Sequence, residues 1–192
     1  MSKLNIHDEA SAPAAARPVL ESVRADHGMI PNMLAVLAEN PAALEACLSL
    51  SRFFDTAGFT PLERQVVLLT VSIENTCHFC VAAHSAASAA AGLDMTVIEA
   101  VRNNQPLADP RLEGLRLFTR RIVRQRGFVS DADVTVFLRA GWDKSAILGV
   151  ILGVALKTIS NYTNHVAETP LNPAYRPFAW APCTRACGGG SC

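Results

Sequence analysis

Apolar residues recur three and four positions apart along most of this chain, while the strict alternation of a half-buried strand is almost absent. That pattern predicts an all-α protein. A first helix is expected from Pro18 to His27 with Gly28 as its stop, a short second from Pro31 to Glu39, and a third from Pro41 to about Thr56. Each opens with proline, whose missing N–H is harmless in a first turn. Thr60-Pro61-Leu62-Glu63 reads as a capping box that starts a stronger helix to about Ile73. Further helices are expected from Cys77 to Ala91 before Gly92, from Asp94 to about Asn103, from Asp109-Pro110 to near Gly127, from Ser130 to Ala140, and from Asp143 to about Ala167. Residues 1–17 then stand as a flexible N-terminal arm, 18–168 as one helical domain of about eight or nine helices, and 169–192 as an extended arm rich in proline, glycine and cysteine.

The chain has 192 residues, enough for one domain with a proper core and little more. Half of them are hydrophobic and only 18% charged, against roughly 25% charged in average soluble proteins. Surplus apolar surface predicts a homo-oligomer, whether dimer, trimer or hexamer. A net charge of zero removes the electrostatic term on which nonspecific nucleic-acid binding depends, so no nucleic-acid partner is expected. The start of the chain has no apolar stretch behind a basic segment, and the longest greasy run, Ala146 to Leu156, stops at Lys157. The expectation is a cytoplasmic protein with no membrane association. In a reducing compartment, six cysteines argue for chemistry or metal binding rather than structural bridges.

The chemistry concentrates in Cys77-His78-Phe79-Cys80-Val81-Ala82-Ala83-His84. Offsets of three, four and seven bring Cys77, Cys80 and His84 to one helix face. Only a thiolate attacks, so a free thiol with a pKa near 8.5 must be made more acidic. Cys77 lies where the helix N-terminus favours an anion, and Cys80 has His84 one turn ahead as acceptor or cationic partner, so the two arguments nominate different nucleophiles. Either way, one thiolate attacks an oxidant or disulfide and the other thiol closes a Cys77–Cys80 disulfide, with no other cofactor required.

The run Val71 to His84, the preceding Leu62-Glu63-Arg64-Gln65-Val66-Val67-Leu68, and Asn161-Tyr162-Thr163-Asn164-His165 before Thr169-Pro170-Leu171 resemble the alkylhydroperoxidase AhpD-like group of the carboxymuconolactone decarboxylase superfamily. The likeness spans roughly residues 30–171. It implies an all-helical oligomeric bundle and a thiol-dependent reduction of hydroperoxides. Cys80 would be the peroxidatic thiol, Cys77 the resolving one and His84 a proton relay. A thiol reductant, or a thioredoxin-like or lipoyl protein, would reopen the disulfide. The family's relay glutamate falls on Gln65, which cannot carry protons as a carboxylate does. Glu74, three residues before Cys77, is the expected substitute.

Glu63 is explained by its capping box, and the end of a helix N-terminus could equally account for Glu74. His165 reads as a core or interface histidine, with a supporting part in catalysis as the alternative. Cys47 reads as a small buried hydrophobe. His78 turns to a different face from Cys77. Phe53, Phe54, Phe79 and Trp142 are candidates for an apolar substrate pocket. The tail cysteines Cys183, Cys187 and Cys192 suggest either a shuttle delivering electrons to the central disulfide or, with Cys77 and Cys80, a zinc site. Lactone decarboxylation, a nonenzymatic zinc module and a redox sensor are the alternative functions, and the first of them leaves the cysteine pair unexplained.

Overall fold

Thr60 and Ser130 each receive the backbone N–H three residues ahead and are bonded back by Glu63 and Asp133, so the two capping boxes fix where their helices begin. This computed structural model describes residues 2–182. Among them are α1 Arg17–His27, α2 Asn32–Leu37, α3 Pro41–Asp55, α4 Pro61–Glu74, α5 His78–Ala90, α6 Met95–Arg102, α7 Pro110–Arg124, α8 Asp131–Arg139 and α9 Lys144–Ala167. A short 3-10 helix, Pro173–Phe178, follows. Each α-helix falls within a few residues of its expected span, and no strand forms among the described residues.

The middle of α4, Val66 to Ser72, is buried on every side, and α4 packs against α5, α6, α7 and α9. A helix apolar all round belongs inside a bundle. Its neighbour α9 is long and apolar enough to cross a membrane by length and composition, yet it packs here against α2, α3, α4, α5 and α7. One end of the core is aromatic: Phe54, Phe59, Trp142, Phe137 and Phe118 stack or meet edge-on with ring centroids 4.1–5.8 Å apart. Phe54 and Trp142 therefore serve the core, and Phe53 is 64% exposed. Of the four aromatic residues expected at a pocket, Phe79 alone lines the cavity that reaches Cys80, while Trp142 borders a separate cleft with Arg111 and Asp143.

Close approach of α9 to α4 depends on Gly153, where a Cβ would stand 2.7 Å from Val67 Cγ1 and 2.9 Å from Phe54 Cε2. Gly153→Ala should therefore destabilise the fold by about 1–3 kcal/mol, despite alanine's better helix propensity, because overpacking outweighs the propensity gain. Urea unfolding of the two proteins measures this directly.

The two ends of the described chain hold to the bundle. Lys3 N–H donates to the Ala167 carbonyl at 2.8 Å and His7 N–H to that of Ala35 at 3.2 Å, while Ala12 and Ala16 are fully buried. The expected flexible N-terminal arm is thus a packed segment. Beyond α9, Asn172 accepts from Asn32 N–H at 2.8 Å and donates to the Ile30 carbonyl at 3.3 Å. Arg102 donates to the carbonyls of Phe178 and Ala179, and Trp180 Nε1 donates to the Arg102 carbonyl at 3.1 Å. Residues 169–182 consequently form a strap across α5 and α6 rather than a free arm.

Candidate active site

Between α4 and α5 the chain turns sharply. Thr76 adopts a left-handed conformation at φ 55°, its N–H donates to the Ile73 carbonyl and that of Cys77 to the Ser72 carbonyl. This is a Schellman ending with threonine where glycine is usual, a strained choice for a β-branched residue. It leaves Cys77 as the N-cap of α5 and Cys80 inside its first turn, where unpaired amides and the helix dipole favour an anion.

Cys77 and Cys80 are 1% and 2% exposed, approach to 3.4 Å, and are free thiols. Opposite them, α9 presents Lys157, Ser160, Asn161 and Asn164, all buried. Asn164 Nδ2 donates to Cys80 Sγ at 3.3 Å and reaches Cys77 Sγ at 3.8 Å. Burial works against an anion on Cys80, but the Cys77 S–H bond, the charge of Lys157 and hydrogen bonds from Asn161 and Lys157 outweigh it and bring its pKa well below the ordinary thiol value. The bond Cys77 donates to Cys80, and then burial, push the Cys77 thiol up. Of the two candidates left open by the sequence, these directions favour an anion on Cys80 over one on Cys77.

Lys157 is 3% exposed and its Nζ lies 2.9 Å from His84 Nε2. An ammonium can only donate, so Nε2 accepts and the His84 proton sits on Nδ1, which donates to Gln65 Oε1 at 3.0 Å. Gln65 therefore fixes the tautomer at the place where the resemblance implies a carboxylate. His84 is half-buried, with both ring nitrogens bonded inside the bundle. Burial, with the nearby Lys157 charge, holds its pKa well below the ordinary imidazole value. An unfolded histidine gains a proton below about pH 6.5 that this ring refuses, so acidification favours unfolding. Stability should fall by up to about 1.4 kcal/mol per pH unit below that point, and His84→Gln should flatten this part of the slope when urea midpoints are compared between pH 7 and 5.

The other expected residues lie elsewhere. Glu74 pairs with Arg120 at 2.9 Å and with Arg124, both on α7, and does not bond to either thiol or to His84. The register of α5 cannot be extended back through Thr76, so being three residues before Cys77 does not place Glu74 beside the sulfurs. Glu63 is held by its cap and by Arg111. His165 is exposed and stacks on Tyr162 with ring centroids 6.3 Å apart, rather than lying in the core. His78 Nδ1 lies 2.9 Å from the Trp180 carbonyl, away from the thiols. The tail cysteines lie outside the described residues. Among the described residues no three His, Cys, Asp or Glu gather as metal ligands.

A cavity of about 250 Å³ opens onto Cys80, His84 and Lys157. Its walls are largely apolar, with Met33, Leu34, Leu48, Phe79, Leu156 and Tyr175 among them. Tyr175 of the strap meets Phe79 edge-on with ring centroids 5.8 Å apart. Cys47, 3% exposed, lines the same cavity, and burial pushes its thiol up.

No protein-family model matches the sequence, and no curated protein matches it. Solved structures share its fold. A peroxidase-related protein with an alkylhydroperoxidase AhpD core from Ralstonia eutropha JMP134 superposes at TM-score 0.80 with 20% identity, over 91% of this chain and 94% of that one. A peroxidase-related protein from Silicibacter sp. TM1040 gives 0.76 and 22%, over 90% and 92%. The debrominase Bmp8 in complex with 2,3,4-tribromopyrrole gives 0.77 and 13%, over 93% and 96%. The fold is therefore AhpD-like.

Proposed function

We propose that this protein is a thiol-dependent hydroperoxide reductase that uses Cys80 as nucleophile and Cys77 as resolving thiol. The observation that carries this reading is the buried Cys80 sulfur held between the Cys77 thiol, Asn164 and Lys157 at the floor of an apolar cavity. A thiolate that is low in pKa, desolvated and supplied with donors is a competent nucleophile toward the O–O bond. Cys80–S⁻, ROOH and a proton give Cys80–SOH and ROH. Cys77–SH then condenses with the sulfenic acid, releasing water and leaving a Cys77–Cys80 disulfide. A small thiol, or a thioredoxin-like or lipoyl protein, returns the pair to the reduced state. The apolar walls suit an organic hydroperoxide.

Mixing reduced protein with cumene hydroperoxide tests this. Stopped-flow thiol loss should end in a Cys77–Cys80 disulfide on peptide mapping, and thiols that survive excess peroxide would refute the proposal. A second reading follows from the likeness to a debrominase fold and from the cation beside the cavity. Here the same dithiol reduces a halogenated aromatic anion, Ar–Br and two thiols giving Ar–H, a disulfide and HBr. Bromide release from a brominated phenol or pyrrole separates the two readings.

The chain is expected to act in the cytoplasm without nucleic acid or membrane. Leu148, Ile151, Tyr162 and Val166 of α9 leave an exposed apolar stripe, which supports assembly with further copies, measurable by light scattering.

A further inference from the structure

Lys157 is a buried cation with no carboxylate. Among the described residues it has no ion pair with Asp or Glu, and no acidic side chain lines the cavity it faces. The titratable groups turned toward that cavity are His27 at the end of α1, Cys47 of α3, Cys80 and His84 of α5, and Tyr175 of the strap, with Cys77 packed behind Cys80. Gln65 of α4 completes the surroundings through its bond to His84 and cannot take a proton. Among the described residues the anion available to Lys157 is therefore the Cys80 thiolate, and closing a disulfide removes it. A buried ammonium left without a counter-charge is strongly disfavoured.

We propose that Lys157 is the proton donor of the redox cycle: it protonates the leaving oxygen during oxidation and remains a neutral amine for as long as Cys77 and Cys80 are disulfide-bonded. This rests on the dithiol reading of the site, but not on hydroperoxide being the oxidant. With a hydroperoxide, Cys80–S⁻ attacks the terminal oxygen, the S–O bond forms and the O–O bond breaks. A proton from Lys157 Nζ joins the departing RO⁻, giving ROH. Condensation of Cys77–SH with Cys80–SOH then forms the S–S bond and releases water. The two sulfurs together lose two electrons, and the cavity holds one anion and one cation before the cycle and neither after it. On re-reduction a dithiol supplies two electrons and two protons, one to Cys77 and one to Lys157, and Cys80 returns as thiolate. The neutral amine keeps two N–H donors, so its bond to His84 survives throughout.

The test is the midpoint potential of the wild-type protein in dithiothreitol buffers from roughly pH 6 to 8, with the ultraviolet absorbance of the thiolate followed in the reduced protein. If Cys80 is ionised and Lys157 gains a proton on reduction, two protons accompany two electrons. The protein's half-reaction, referred to a pH-independent electrode, then shifts a hundredfold per pH unit, or about 59 mV, in step with dithiothreitol itself. If Lys157 stays charged in both states, one proton is taken up and the shift is tenfold, or about 30 mV, which overturns the proposal. Nitrogen NMR of labelled wild-type protein should show the Lys157 ammonium becoming an amine on oxidation. Release of the proton from His84 instead, or a fully protonated reduced pair, would also overturn it. Lys157→Arg keeps the charge but cannot give up the proton, so its thiolate should persist while the slope drops to the tenfold value. The wild-type titration and spectra need neither this variant to fold nor peroxide to react, so a failure here is distinct from a failure of the peroxidase reading.

Discussion

Replacing Lys157 by methionine should slow oxidation of the dithiol at pH 7 by roughly a hundredfold. Lys157 is the positive charge that, with the Cys77 bond, draws the Cys80 pKa down. Without it, burial governs, and a thiol at or above the ordinary value near 8.5 is no more than a few per cent ionised at neutral pH. The wild-type rate should be nearly flat across the neutral range. In the variant it should climb about tenfold per pH unit until the thiol titrates. Loss of the fold does not explain such a result, because methionine nearly matches the lysine stem in volume. Removing one partner of a buried pair would leave the Cys80 anion uncompensated, a cost the thiol escapes by taking up a proton. What remains is the His84 Nε2 left without a donor, worth about 1–3 kcal/mol. Urea midpoints should therefore fall modestly, far too little to unfold the protein, while the stopped-flow rates separate.

Cys80→Ser should reduce the reaction to background while keeping the structure. A serine hydroxyl is not ionised at neutral pH and cannot close a disulfide, and Cys77 cannot take over. The Cys80 sulfur that chiefly pushes the Cys77 thiol up is gone in this variant, but burial still pushes it up, and Asn164 lies closer to residue 80 than to Cys77. Cys77→Ser is expected to differ, since its hydroxyl can still donate to the Cys80 sulfur. The variant should react once and stop. Thiol titration after a single mixing with hydroperoxide distinguishes the two. A Cys80→Ser protein that still consumed peroxide with loss of Cys77 would reverse the assignment of nucleophile.

The helices were legible because their signals are local. Thr60 with Glu63 and Ser130 with Asp133 stand three residues apart, and Asp94, Asp109 and Asp143 cap the helices that follow them. Cys77, Cys80 and His84 were legible for the same reason. Lys157 was not, because it closes a long apolar run and reads there as the end of a greasy segment. Its place in the site depends on how α9 packs on α5. A signal was present nonetheless: residues 157, 160, 161 and 164 form a polar stripe at helical spacing on an otherwise apolar helix. Ser160 carries no signal of its own, and Asn161 and Asn164 enter the sequence reading only through the run that bears the family resemblance, without a place beside the thiols.

Glu74 illustrates the opposite failure, in which a helical register was carried across a turn that Thr76 breaks at φ 55°. Its real partners, Arg120 and Arg124, lie about fifty residues further along the chain, and no local pattern announces them. The prolines after Thr169 correctly excluded a regular helix, but not the strap. Asn172, Trp180 and Arg102 hold that segment through tertiary hydrogen bonds of a kind that sequence spacing does not reveal.

The most direct test of the account is to treat reduced Cys77→Ser protein with one equivalent of cumene hydroperoxide in the presence of dimedone and to locate the adduct by mass spectrometry. The account predicts one adduct, on Cys80, formed over the neutral pH range at a rate close to the wild-type oxidation step. An adduct on Cys47 alone, or no adduct while peroxide persists, would contradict it.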